Sequence, residues 1–94
     1  MDEREMMAVV ESILFVSGDP VNARDIGQIL ELDLRLVRKL MQKMTDCYNF
    51  ERRGLQVVTV NDTYQLATRP EYSSYMEKFI GQERSQELSQ ACLE

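Results

Sequence analysis

Apolar residues recur with helical spacing along the first half of the chain. From Glu3 to Val16, the residues Met6, Val9, Val10, Ile13 and Leu14 share one face at the 3.6-residue period, which predicts a first helix. Gly18-Asp19-Pro20 breaks it, because proline disfavours helix at the preceding residue and glycine accepts turn dihedrals. A short second helix is expected from Ala23 to Glu31, with Ile26, Ile29 and Leu30 as its apolar positions. Asn22 is placed to cap it, Val21 to act as the hydrophobic staple, and Asp25 to complete a weak capping box. Asp33 caps a third helix that runs to about Tyr48, with Val37, Leu40, Met41, Met44 and Tyr48 as its stripe. The connection between helices two and three is very short, so the pair reads as a helix-turn-helix.

The period then changes from 3.6 to 2. Leu55, Val57 and Thr59 alternate with Gln56, Val58 and Val60, and Tyr64, Leu66 and Thr68 alternate with Gln65 and Ala67. Asn61-Asp62 supplies the turn of a β-hairpin, since both residues tolerate left-handed dihedrals. Side chains alternate along a strand, so Tyr64 and Leu66 should point to the helical side and Gln65 outward. Pro70 ends the hairpin. A fourth helix is expected from Glu71 to Ile80, with Tyr72, Tyr75, Met76, Phe79 and Ile80 at helical spacing and Gly81 as its stop. Met76 and Phe79 read as core, packing that helix over the sheet. Tyr72 and Tyr75 suit either a core edge or a half-wet interface.

The order of elements gives an α+β, mainly helical fold: a winged helix with three helices, a two-stranded β-hairpin wing and a fourth helix. It occupies residues 1–81. "GQERSQ" is a polar linker, and "ELSQACLE" begins a new apolar helical pattern. Residues 82–94 are therefore expected to be a linker and the first turns of a second, truncated winged-helix domain.

Composition narrows the chemistry. The chain has 94 residues, 44% apolar and 29% charged, with a net charge of −5, which argues against non-specific binding to a polyanion. It contains no histidine, so the commonest general base and metal ligand are missing. Cys47 and Cys92 form no CxxC pair and "MDEREMMAVV" is no secretory leader, so reduced thiols in the cytoplasm are expected. Cys47 sits at the edge of the third helix's stripe and reads as a small, partly buried residue. No glycine-rich phosphate loop is present. No catalytic residue, metal site or cofactor is expected, and no run is apolar enough to span a membrane.

Two surfaces remain as candidates. On the third helix Arg35, Arg38, Lys39 and Lys43 lie opposite the apolar stripe; Asp33 to Arg53 holds six basic and three acidic residues, a local +3. That is the arrangement of a DNA-recognition helix, and a DNA-binding transcription regulator is the alternative reading. The same residues also fit an ordinary solvated helix face. Only Gln42 is suited to base edges there, so no specific duplex binding is expected. The second candidate is apolar. Phe15 lies off the stripe of the first helix, with Val16 and Met7 flanking it. With Tyr72 and Tyr75 they extend the apolar surface beyond what one small core uses. Either the first helix is buried on several sides, or Phe15, Val16, Tyr72 and Tyr75 face a second subunit or another partner.

"VESILFVSGDPV" (Val10–Val21), "GLQVV…NDTYQLATRPEY" (Gly54–Tyr72) and "LSQACLE" (Leu88–Glu94) together resemble the N-terminal half of the segregation and condensation protein B family. The resemblance covers nearly all of the chain, and the "TYQLATRPEY" stretch is its most specific part. It implies a winged-helix accessory subunit of the bacterial SMC–kleisin complex, non-enzymatic and nucleoid-associated in the cytoplasm. It further implies a homodimer formed mainly through this domain. The partner implied is the kleisin subunit, segregation and condensation protein A, and through it SMC.

Overall fold

The computed structural model describes residues 1–82. Helix α1 (Glu3–Ser17) is capped by Asp2, whose carboxylate accepts from the Glu5 N–H at 2.8 Å. It ends at Gly18, whose φ of 69° is open to glycine and strained for other residues. A two-residue strand β1 (Val21–Asn22) follows and leads into α2 (Ala23–Leu30), with Asn22 as N-cap as its sequence position predicts. Helix α3 (Leu34–Phe50) is capped by Asp33, again as predicted, and runs two residues past Tyr48. The wing is β2 (Leu55–Val60) and β3 (Thr63–Thr68), joined by Asn61 and Asp62 at φ 47° and 61°.

The sheet has three strands in the order β1-β3-β2, all antiparallel. The hairpin was expected to stand alone; β1 joins its edge by pairing Val21 with Tyr64 and Asn22 with Thr63. A two-residue strand is too short to display a period, so the alternation rule cannot find it. The Asp62 carbonyl also accepts from the Ala23 N–H at 2.8 Å, which fastens the wing tip to the start of α2.

The core is one cluster. Val10 and Leu14 of α1, Ala23 and Ile26 of α2, the five stripe residues of α3, and Val57 and Tyr64 of the wing are all buried. Tyr64 faces the helices as its register predicts, and Leu66 packs partly buried against the same cluster. Gly27 is also buried. A Cβ there would sit 2.7 Å from the Leu32 carbonyl oxygen, so glycine is what lets the α2–α3 turn close so tightly.

Several expectations change. Ile29 is exposed rather than part of the α2 core face, because Ala23, Ile26 and Gly27 supply that face instead. Cys47 is exposed, not partly buried, since Met44 and Tyr48 turn the helix so that the core lies on their side of it. After a single 3₁₀ turn (Pro70–Tyr72) the chain is helical over 73–82, here α4. Gly81 lies inside that helix with no left-handed dihedral, so it is not the stop. Met76 and Phe79 are exposed and not core: α4 projects from the domain, and every residue from 71 to 82 is exposed. The linker and second-domain start expected in residues 83–94 lie outside the described residues.

Candidate interaction face

α4 leaves the base of the wing and stands away from the sheet, which opens a cleft between them. The cleft has a volume of about 690 Å³. Tyr72, Tyr75 and Met76 form one wall; Leu55 and Thr68 form the other; Glu11, Tyr48 and Arg53 form its floor. A second recess of about 370 Å³ adjoins it, lined by Phe15 and Val16 on one side and Leu55 and Leu66 on the other. Glu11 and Leu55 border both. The four apolar candidates named from sequence, Phe15, Val16, Tyr72 and Tyr75, therefore lie on one continuous surface. Phe15 is 77% exposed, Val16 83% and Tyr75 63%. The reading that buries α1 on several sides is thus excluded for Phe15 within one chain. Phe79 (56%) and Ile80 (48%) extend the stripe along α4.

The floor is polar, and sequence reasoning did not find it. The Tyr48 hydroxyl donates to the Glu11 carboxylate, and the Arg53 guanidinium lies 4.9 Å above the Tyr48 ring centroid. Arg53 also pairs with Glu51 at 2.7 Å and, more loosely, with Glu11 at 3.7 Å. Glu11 and Tyr48 are 37 positions apart, so no local spacing could have joined them. Burial, and then the hydrogen bond to Glu11, push the Tyr48 phenol up from its ordinary value near 10 to about 12. Its neutral form is the one the fold accepts. That contribution to stability is complete below pH 10 and is lost as pH climbs toward 12, because the unfolded chain ionises first. Wild type should therefore lose about 1–2 kcal/mol more than Tyr48→Phe across that window; this discounts two units at roughly 1.4 kcal/mol each, because Glu11 is half exposed. Urea titrations of both proteins at pH 9 and 12 check it, and equal losses would show that the Tyr48 phenol is not held neutral.

The basic candidates on α3 fare differently. Arg38 grips Asp62 at the wing tip in a two-pronged pair, 3.1 and 2.7 Å, and Lys43 holds Glu3 of α1 at 2.7 Å. In the Arg38–Asp62 pair each partner favours the other's charged form, and the hydrogen bond from Arg38 pulls the carboxylate below its ordinary range. Gln42, the one residue suited to base edges, donates to Asp46 at 3.0 Å. Arg35 and Lys39 are exposed. The side of α3 that would read DNA is thus partly neutralised from within the fold. Among the described residues no helix is long and apolar enough to cross a membrane.

A helix-turn-helix with a wing, two of its four α3 cations held by carboxylates and an open apolar face beside α4, defines a winged-helix domain. The profile described as segregation and condensation complex subunit ScpB matches residues 8–94, and the chain belongs to that family. It is 41% identical over 91 residues to segregation and condensation protein B of Clostridium perfringens, covering 96% of this chain and 47% of that protein. The chain spans about half the length of the curated relatives it matches. Among the solved structures that share its fold are two of ScpB. ScpB from Mycobacterium tuberculosis superposes with a TM-score of 0.83 at 24% identity, over 89% of this chain and 52% of that one. A dimer of an ScpB N-terminal domain complexed with an ScpA peptide superposes with a TM-score of 0.75 at 27% identity, over 81% of this chain and 95% of that one.

Proposed function

We propose that this chain is a non-enzymatic docking module of a bacterial SMC–kleisin complex, acting on the chromosome in the cytoplasm. It forms a homodimer and binds the kleisin subunit, segregation and condensation protein A, and through it SMC. The observation that carries this reading is the likeness to an ScpB N-terminal domain that is itself a dimer with an ScpA peptide, over nearly the whole of that chain. The open face bordered by Phe15, Val16, Tyr72 and Tyr75 supports it, because an exposed patch of this kind is what a docking module offers and a solitary soluble domain avoids. In a two-fold dimer each of these residues is used twice. A duplex-binding regulator would need the α3 cations free for phosphates, and Arg38 and Lys43 are held by carboxylates instead.

Light scattering at tens of micromolar should give twice the mass of the chain. Fluorescence anisotropy should show a labelled kleisin peptide binding to it, with little response to salt. A monomer that ignores the peptide and instead binds duplex DNA with steep salt dependence would sink the reading.

A further inference from the structure

α4 carries much of the exposed face, yet none of residues 71–82 is buried: Tyr72 and Met76, the most covered of its apolar side chains, are still 36% and 38% exposed. A helix anchored only at its first turn should sweep through a wide arc unless its root is rigid. Its root is Arg69, inside the "LATRPEY" stretch. The Arg69 N–H donates to the Gly54 carbonyl at 3.1 Å, and its own carbonyl accepts from the Tyr72 N–H at 3.0 Å. The guanidinium donates to the Arg53 carbonyl through Nε, and through Nη2 to the Tyr48 carbonyl at 2.9 Å and to Asn49 Oδ1 at 3.1 Å. Tyr48 lies in the last turn of α3, where carbonyls lack a partner within the helix and the helix dipole favours a cation. Pro70 follows at once, with its φ fixed by the ring.

We propose that Arg69 is the positioning residue of the interaction face. Its cap on α3 sets the direction in which α4 leaves the domain, and so holds Tyr72, Tyr75 and Met76 across the cleft from Leu55. The proposal rests on the reading of that face as an interface. Arg69 does not line the apolar cleft; it borders a separate small recess with Asn49, Arg52, Glu71 and Tyr72, so it acts through α4 and not by touching the partner. A lysine cannot replace it, because one ammonium does not span three acceptors on two segments as a planar fork does.

Spin labels at the exposed Cys47 and at Glu77→Cys, with Cys92→Ser, report the angle of α4. Dilution with unlabelled chain restricts the signal to distances within one chain. The expected result is a single narrow distance distribution in the parent protein and one at least twice as wide in Arg69→Gln. The dimer dissociation constant of Arg69→Gln should rise tenfold or more while far-ultraviolet circular dichroism stays native. A broad parent distribution, a narrow one in Arg69→Gln, or broadening with unchanged dimer affinity would each overturn the proposal. Should Arg69→Gln fail to fold, Arg69→Lys is the variant read: a distribution wider than the parent's is expected, and native width with native affinity overturns the need for the fork. A parent chain that is monomeric at every concentration sinks the dimer reading, while the distances still decide whether Arg69 sets α4.

Discussion

Phe15→Glu should turn a dimer into a folded monomer. Phe15 is 77% exposed within one chain, so the substitution removes nothing from the core, and exposed sites of this kind usually change stability by no more than about 0.5 kcal/mol. At a two-fold interface the same change places a carboxylate on apolar surface twice per dimer. Desolvating an unpaired charge costs several kcal/mol, so the dissociation constant should rise on the order of a hundredfold or more. Glu11 borders the same recess and adds like-charge repulsion. Light scattering at tens of micromolar should give the mass of one chain, with an unchanged circular dichroism spectrum. An unfolded variant would mean that Phe15 supports the core despite its exposure. A persistent dimer would move the interface to another surface.

The parts of the fold that were legible are those where a local rule decides. Asn22 and Asp33 cap helices because their side chains reach orphan N–H groups three residues away at most, and both positions are right. Asn61-Asp62 forms the wing turn because few other pairs accept two left-handed residues in succession. What was not legible depends on partners far along the chain. The stripe Tyr72, Tyr75, Met76, Phe79 has the spacing of a core face, and spacing says that something covers a face without saying what; here none of the four is buried among the described residues. The end of α2 falls at Glu31 as expected, although Glu31 closes it in a left-handed conformation that usually signals glycine or asparagine. On α3 the basic face looked free because its carboxylate partners, Asp62 and Glu3, lie 24 and 40 positions away. The apolar half of the candidate face could be read from surplus residues, whereas its floor of Glu11, Tyr48 and Arg53 could not.

The core and the face should separate cleanly in a pair of leucine truncations. Leu14 is 2% exposed and belongs to the central cluster, so Leu14→Ala should cost about 2–5 kcal/mol, the transfer term plus a cavity the neighbours cannot fill. Leu66 points the same way from β3, opposite Val57, but it is only partly buried and borders the recess of Phe15 and Val16. The truncation should therefore cost about 1–2 kcal/mol in the isolated subunit, less than a full core leucine, because part of its surface is already in water. In a dimer that closes the recess, the partner buries the remainder, and the loss becomes a loss of association. The shift in melting temperature of Leu66→Ala should then grow with protein concentration, because the parent gains stability from association and the variant gains less. For Leu14→Ala the shift should stay nearly constant. Thermal melts at 2 and 200 µM test both. Two concentration-independent shifts of equal size would place Leu66 in the core and leave the recess outside the interface.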